Sequence, residues 1–481
     1  MSNQSSSSEK NLEEHAWNNA ISKVAIIGSG IAGLGLMASL VKSSGVHEIS
    51  IFESRNEEAV LQPQLGGGVQ LSGGASVLER IGCYPELQKH GSPLSRILSR
   101  SNDGKVLVDI DVKKLFKKKA SKELCANNGL GEPLMYSIMR ATLLRILYNA
   151  TQPFIENQTE KTPKCSIIGN KKCIEIMENN DGKVTLKFAD GTYSDKFDLV
   201  VGADGISSTA IQFTSFGAAN VLQKRSAKTK KEFRSSYSGI RIAYCITPPD
   251  SSLRLNGREA FHQWLGDGCY ALAASYGGIQ GLQHMLAIVY TDEKDARYGL
   301  NPEWSAEDTA EAVSLLRQRL NRAGLGNNPE LESLLMAASA DPKEGGERGR
   351  FFEFGVKDAL LPLQKWSSDS GRVVLIGDSA HAMAPFLGQG ANQALQDAYC
   401  LARLIGEHNL NPSSKVAEVA KKYEERRKIP TALLAVKSRL VGVVETLGNP
   451  VGMNFKLNFF RVLGLLGLAE EELLSAALPK Y

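Results

Sequence analysis

The chain has 481 residues, 42% of them hydrophobic and 22% charged, with a formal net charge of +4. That length sustains a large buried core and two or three structural units, and so small a charge excess gives no reason to expect nucleic acid as a partner. The seven cysteines contain no Cys-x-x-Cys pair and the seven histidines show no metal-ligand spacing. A zinc site or a disulfide framework is therefore not expected, no metal is assigned, and a reducing compartment is the default.

Residues 1–21 open on a polar, Ser-rich stretch followed by Glu9, Glu13 and Glu14. They lack the apolar core of a secretory signal, and the acids argue against an intact transit peptide. A disordered tail is expected, with a cytoplasmic location, or an organelle if a transit peptide has been removed.

Val24–Ile27 is a short apolar strand, and Gly28-Ser-Gly30-Ile-Ala-Gly33 follows at once. Ile31, Leu34, Ala38 and Val41 then recur at spacings of three and four, which predicts a helix. A second strand, Glu48–Phe52, ends in Glu53, twenty residues after Gly33. Gly28 makes the tight turn, Gly30 clears the approach of a pyrophosphate to backbone, and Gly33 lets helix and strand pack closely. The helix N-terminus offers free N–H groups to phosphate, and Glu53 stands where an acid bonds ribose hydroxyls. Arg55 beside it is placed to stack on adenine. This βαβ unit predicts dinucleotide binding.

Two basic clusters follow, one at Lys113, Lys114 and Lys117 to Lys119, the other from Lys224 to Arg234. Each reads as a solvated loop, with an electrostatic landing site for an anionic reductant or a lipid surface as the alternative. From about Ile206 to Leu361 the segments alternate, as in Ser238–Ile246 and Tyr270–Ser275, which predicts antiparallel sheet. Tyr237, Arg241, Tyr244, His262, Trp264, Tyr270 and Tyr276 are its candidate substrate-facing residues.

The segment from Gly371 to Asp397 is more specific. A buried strand, Val373–Ile376, ends at Gly377-Asp378, and a glycine loop, Pro385 to Asn392, opens a helix that carries Asn392 and Asp397. Asp378 is placed for a ribityl or ribose hydroxyl, and the helix start suits the pyrimidine end of an isoalloxazine, which becomes anionic on reduction. FAD is therefore the expected cofactor. Near the C-terminus, Phe455–Leu468 is apolar but interrupted by Lys456, Asn458 and Arg461, and predicts a packed helix more than an anchor. Peripheral membrane contact stays open.

With these motifs the chain resembles the single-component flavin monooxygenases of the aromatic-hydroxylase type, nearest to zeaxanthin epoxidase-like and salicylate hydroxylase-like members. The glycine fingerprint, Asp198-Leu-Val-Val-Gly-Ala-Asp204-Gly205, the Gly377-Asp378 loop and Arg140 carry the likeness over nearly all of residues 22 to 440. It implies an α/β fold: a Rossmann-type FAD-binding domain of mostly parallel sheet from 22–85, 135–205 and 366–410, an inserted antiparallel-sheet substrate domain from 86–134 and 206–365, and a C-terminal helical region, 411–481. The implied cofactor-binding residues are Gly28, Gly30, Ile31, Ala32, Gly33, Glu53, Ser54, Arg55, Gln70, Arg140, Asp204, Asp378, Gly388, Gln389, Gly390, Ala391 and Asn392.

The chemistry it implies is hydroxylation or epoxidation of a hydrophobic or aromatic small molecule with O2, through a flavin C4a-hydroperoxide, with NAD(P)H as a transient reductant. No protein nucleophile is needed, and the flavin-facing loop at Pro385, Gly388 and Gly390 is the expected oxygen side. No obligate protein partner is evident. The segment after Gly205, Ile206-Ser-Ser-Thr-Ala-Ile211, carries none of the arginines that many relatives place there. An FAD oxidoreductase acting on a prenyl or carotenoid substrate without oxygen insertion is therefore the alternative, and a non-enzymatic carrier the third reading.

Overall fold

In the computed structural model the described residues are 20–42, 45–62, 66–119, 135–159, 162–214, 236–249, 253, 255, 259–277, 282–291, 309–341, 347–358, 365–412, 414–477 and 481. Residues 1–19 and the basic cluster from Lys224 to Arg234 lie outside them. Ile21, assigned to the tail from sequence, is buried, and its backbone N–H and C=O both bond the Asn409 side chain at 2.9 Å.

Five strands lie side by side in the order Val373–Leu375, Leu199–Gly202, Lys23–Ile27, Glu48–Phe52 and Lys164–Ile168, all parallel. Their near-continuous apolar runs fit a sheet covered on both faces. Helix α1 (Ile31–Leu40) is buried at all ten positions. It is wedged between α2 (Arg140–Glu156) and the helix that starts at Gly390.

A second sheet has seven strands in the order Arg350–Asp358, Ser236–Ile246, Gln283–Thr291, Cys269–Tyr276, Ala260–Gly266, Arg96–Ser101 and Val106–Asp111. All neighbours are antiparallel except Ala260–Gly266 with Arg96–Ser101, which run parallel. The alternating segments read from sequence are two of its inner strands. Because side chains alternate across a strand, Ala243, Cys245, Ala271, Leu286 and Ile288 meet α3 (Thr309–Arg322) and α4 (Pro329–Ser339) on one face. The other face lines a cavity. A small three-stranded sheet, Gly68–Leu71, Met135–Met139 and Ser92–Leu94, joins the two large ones and feeds α2.

The first basic cluster is not a loop. Val112–Lys119 is helical, because Val112, Leu115 and Phe116 repeat at spacings of three and four and are buried.

The C-terminal part is helical: α5 (Gly390–Leu410), α6 (Val416–Glu445), α7 (Asn449–Leu465) and α8 (Leu468–Ala477). Helix α7 packs on strand Val106–Asp111 through Phe460. Lys456, read from sequence as a break in an apolar stretch, is fully buried. Its Nζ donates to the carbonyls of Gly266, Glu445 and Leu447 at 2.5, 3.0 and 2.9 Å. These acceptors include the orphan carbonyl at the end of α6. The outer face of α7 exposes Val451, Phe455 and Leu465. Among the described residues no helix is long and apolar enough to cross a membrane.

Candidate cofactor cleft and substrate cavity

The turn into α1 is fixed by sterics. Gly28 sits at φ +100°, where a Cβ would lie 2.6 Å from the Ala203 carbonyl oxygen, and a Cβ on Gly33 would lie 2.0 Å from the Gly28 oxygen. Neither position accepts a side chain. Gly30 is the opposite case, with no atom within 4 Å of a Cβ built on it. It faces open space, and α1 starts there without a side-chain cap. The amides of Ile31, Ala32 and Gly33, with the positive end of the helix dipole, therefore lie at the edge of an open cleft.

Glu53 is buried at the end of its strand. One carboxylate oxygen accepts from the Ser29 amide and hydroxyl at 2.9 Å each. The other accepts from the Ser54 hydroxyl at 3.0 Å and from the Arg55 amide and Nε at 3.0 and 3.2 Å. Burial raises its pKa, but these hydrogen bonds and the Arg55 charge outweigh it and hold the group at about 2. Ser29 is a contact that the glycine pattern did not single out. Arg55, expected to reach for a ring, is half-exposed and bonded to Glu53.

The second signature closes on the first. Gly377, at φ +60°, would place a Cβ 2.9 Å from Ala32 Cβ, so the turn before Asp378 presses on the start of α1. Solvent reaches Asp378 through the cleft. Surrounding protein pushes its carboxyl above the usual range, against the charges of His381 and Arg140, and Asp397 adds to the rise. Arg140 opens α2. Burial lowers its pKa and the Asp378 charge pulls it back up. Asp204 ends the neighbouring strand and is also raised by burial, against hydrogen bonds from Ser208 and Thr209. Ser379 links the two loops, donating to Asp204 Oδ1 at 3.2 Å and accepting from the Gly205 amide at 2.9 Å.

His381 is buried, and its Nε2 lies 2.5 Å from Asp397 Oδ2. The same carboxylate accepts the Gly377 amide at 2.9 Å and Arg427 Nε at 2.7 Å. His381 and Asp397 thus hold the turn under Asp378.

The loop Pro385–Leu387 leads to Gly388 at φ +61° and to α5, whose N-terminus has no side-chain cap. Nothing lies within 4 Å of a Cβ built on Gly390, so this helix start is open as well. Asn392 is fully buried and spends its whole side chain on protein. Its Oδ1 accepts from the Ser72 and Gly74 amides at 2.8 and 2.9 Å, and its Nδ2 donates to the Gln70 and Gly388 carbonyls at 2.8 and 3.1 Å. It positions the loop, and only its backbone remains for a ligand. Gln389 and Gln70 line the space in front, where Gln70 Nε2 donates to the Tyr276 hydroxyl at 2.5 Å.

That space is a cavity of about 780 Å³. Gly67, Gln70, Arg140 and the loop Pro385–Gln389 bound it on the cleft side, and Ile242, Tyr244, Phe261, Tyr270, Leu272 and Tyr276 supply its sheet wall. The segment Gly66–Gly68 can lie so close because it has no side chains: a Cβ on Gly68 would fall 1.9 Å from the Tyr276 ring. Of the wall residues proposed from sequence, Tyr244, Tyr270 and Tyr276 line the cavity and the others do not. Arg241 is one residue from Tyr244's parity and points the other way, into a buried ion pair with Glu353 at 2.9 Å. His262 and Trp264 alternate with Phe261 and Gln263 and stack on each other away from the cavity, with Arg100 over the indole. Tyr237 packs against Gly355. Gln263 and Glu445 line the cavity and were not anticipated.

The two open helix starts, the side-chain-free turn at Gly30 and the carboxylate of Asp378 between them fit a flavin dinucleotide, which defines a protein of the FAD-binding α/β class. The comparisons agree. The profile of the FAD binding domain matches residues 329–436. The chain is 31% identical over 425 residues to the 3-amino-4-hydroxybenzoate 2-monooxygenase PtmB3 of Streptomyces platensis, covering 86% of this chain and 85% of that one. It is 29% identical to the FAD-dependent monooxygenase nodM of Hypoxylon pulicicidum, covering 80% and 70%. Similar solved structures are HpxO of Klebsiella pneumoniae complexed with FAD and uric acid (TM-score 0.69, 18% identity, covering 95% and 97%) and a salicylate hydroxylase substrate complex (TM-score 0.63, 20% identity, covering 96% and 99%). The chain belongs to the FAD-dependent monooxygenases.

Proposed function

We propose that the protein uses NAD(P)H and O2 to hydroxylate or epoxidise a hydrophobic or aromatic small molecule held against the Pro385–Gln389 loop. The observation that carries this reading is the aromatic cavity, which opens directly onto that loop and onto Gln70 and Arg140. When bound, FAD supplies hydride acceptance and oxygen activation. The pyrophosphate belongs at the amides of Ile31 to Gly33, the adenosine ribose at Glu53, and the ribityl chain near Asp378 and Arg140. Asp204, Ser54, Ala391 and Gln389 complete the contacts. The uncapped amides from Gly388 to Ala391 would stabilise negative charge at the pyrimidine end of the ring.

His381, buried against Asp397, is a positioning residue here and moves no substrate proton. Phe261, Leu272, Tyr276 and Phe354 exclude water from the reacting face. The segments 22–85, 135–205 and 366–410 form the cofactor unit, and 86–134 with 206–365 the substrate unit.

The test is oxidation of NADH and NADPH by the purified flavoprotein, with a panel of phenols and xanthophylls, under 18O2. One labelled oxygen in the product supports the reading. Turnover that leaves the product unlabelled overturns oxygen insertion and favours an oxidoreductase on a prenyl or carotenoid substrate.

A further inference from the structure

The cavity has a second polar end. Tyr276 and Tyr270 stand six residues apart on one strand, which is about 20 Å of backbone. Tyr276 belongs to the cofactor side, through Gln70. Tyr270 belongs to a separate group with Gln263 and Glu445, all three lining the same cavity.

Glu445 is the last residue of α6 and only 4% exposed. Its Oε1 accepts from Gln263 Nε2 at 2.6 Å. The Tyr270 hydroxyl also hydrogen-bonds this carboxyl. Its Oε2 is buried and accepts no other hydrogen bond among the described residues. The cation nearest in charge terms is Lys456, whose ammonium is already used by three backbone carbonyls. A buried carboxyl with only these two donors keeps acceptor capacity for a third.

We infer that Glu445 is a specificity residue for substrates that carry a hydroxyl or amino group at the end remote from the oxygenated carbon. The inference rests on the proposed function for the location of that carbon, and it assigns the substrate class: an elongated apolar molecule with a terminal hydrogen-bond donor and no carboxylate at that end. A carboxylate would meet the Glu445 carboxyl there, whereas among the described lining residues the one Lys or Arg is Arg140, on the cleft side. Burial raises the Glu445 pKa to about 7, against Gln263, Tyr270 and Lys456. The group therefore accepts a donor in either protonation state near neutral pH.

The experiment is binding of four probes of one shape to the FAD-loaded protein, read by perturbation of the flavin absorbance. The probes are 4-hydroxybiphenyl, 4-aminobiphenyl, 4-methylbiphenyl and biphenyl-4-carboxylate. The hydroxyl and amino members should bind at least about tenfold more tightly than the methyl member, since a site built around a buried polar group rejects ligands that leave it unpaired. The carboxylate should bind weakest. Glu445→Gln keeps the acceptor for Gln263 and turns the other carboxyl oxygen into a donor, so it should abolish the preference and improve carboxylate binding. Glu445→Leu should favour the methyl member, and thermal melts of both variants establish that they are folded. Equal binding of all four probes by the wild type, tighter carboxylate binding, or a preference that survives in Glu445→Gln overturns the assignment. Donor preference without any 18O incorporation would leave the assignment standing and remove the monooxygenase reading alone.

Discussion

The Arg427 guanidinium and the Asp397 carboxylate meet at 2.7 Å with neither side chain exposed to solvent. This pair joins α6 to α5 directly beneath the turn that presents Asp378. Burial raises the Asp397 pKa, but the charges of His381 and Arg427 and their hydrogen bonds bring it below the ordinary carboxylate value. Arg427 also donates to the Gln393 and Gln396 side chains at 2.7 and 3.2 Å. Breaking one partner of such a pair strands the other charge. Arg427→Met should cost about 3–5 kcal/mol of stability and release FAD during purification. A melting temperature and flavin content equal to wild type would refute it.

Gly30 and Gly33 look equivalent in the fingerprint and are not equivalent in space. Gly33→Ala should prevent folding of the dinucleotide unit, because the new Cβ meets backbone at 2.0 Å. Gly30→Ala meets no atom within 4 Å and should fold normally. It should lose at least about tenfold in FAD affinity, or 1.4 kcal/mol, because the methyl enters the pyrophosphate space. Circular dichroism with an FAD titration separates the two outcomes. Unchanged affinity in Gly30→Ala would move the phosphate elsewhere.

Asn392→Ala removes four hydrogen bonds that tie Ser72, Gly74, Gln70 and Gly388 together. The stranded backbone groups should cost about 2–4 kcal/mol. With the loop released, the spectrum of the bound flavin should shift. Asn392→Asp keeps both acceptor contacts and should lie between wild type and alanine in chemical denaturation.

Glu445 makes stability fall on the alkaline side. Its folded pKa is about 7 against an ordinary value of 4.5, so the folded state holds the proton more tightly. The stabilisation is fully present below about pH 4.5 and is lost as pH rises through 7, up to about 3 kcal/mol for a shift of that size. Glu445→Gln carries no titrating proton there. It should gain stability relative to wild type between pH 5 and pH 8.5. Parallel pH profiles of the two proteins would argue against a raised Glu445.

The sequence made the cofactor unit legible because its signals are local. The turn at Gly28, the helix from Ile31 and the acid at Glu53 sit within one βαβ unit, and Gly33 answers to the Gly28 backbone five residues away. The role of Asp397 was hidden because its partner, Arg427, lies 30 residues on and on another helix. The wall residues were half legible. Alternation separates Arg241 from Tyr244, but nothing in the strand alone says which face is the cavity. Glu445 had a faint signal, a lone acid directly after the apolar run Leu440 to Val444, which resembles any charge at a helix end. Lys456 misled in the other direction, since a lysine with three carbonyl acceptors cannot be told from a solvated one by neighbours in sequence.

The order of strands in the parallel sheet bears on how the protein is made. Its edge strand, Val373–Leu375, pairs with Leu199–Gly202, and five of the seven strands of the other large sheet, from Ser236 to Asp358, are synthesised between them. A chain emerging from the ribosome therefore displays the first half of a nucleotide site long before the second half exists. Pairing across so many residues is slow, and the incomplete sheet edge at Leu199–Gly202 stays available to wrong partners in the meantime. FAD uptake becomes a late event that seals a nearly finished molecule, and chaperone supply and cellular flavin should together set how much of the protein accumulates.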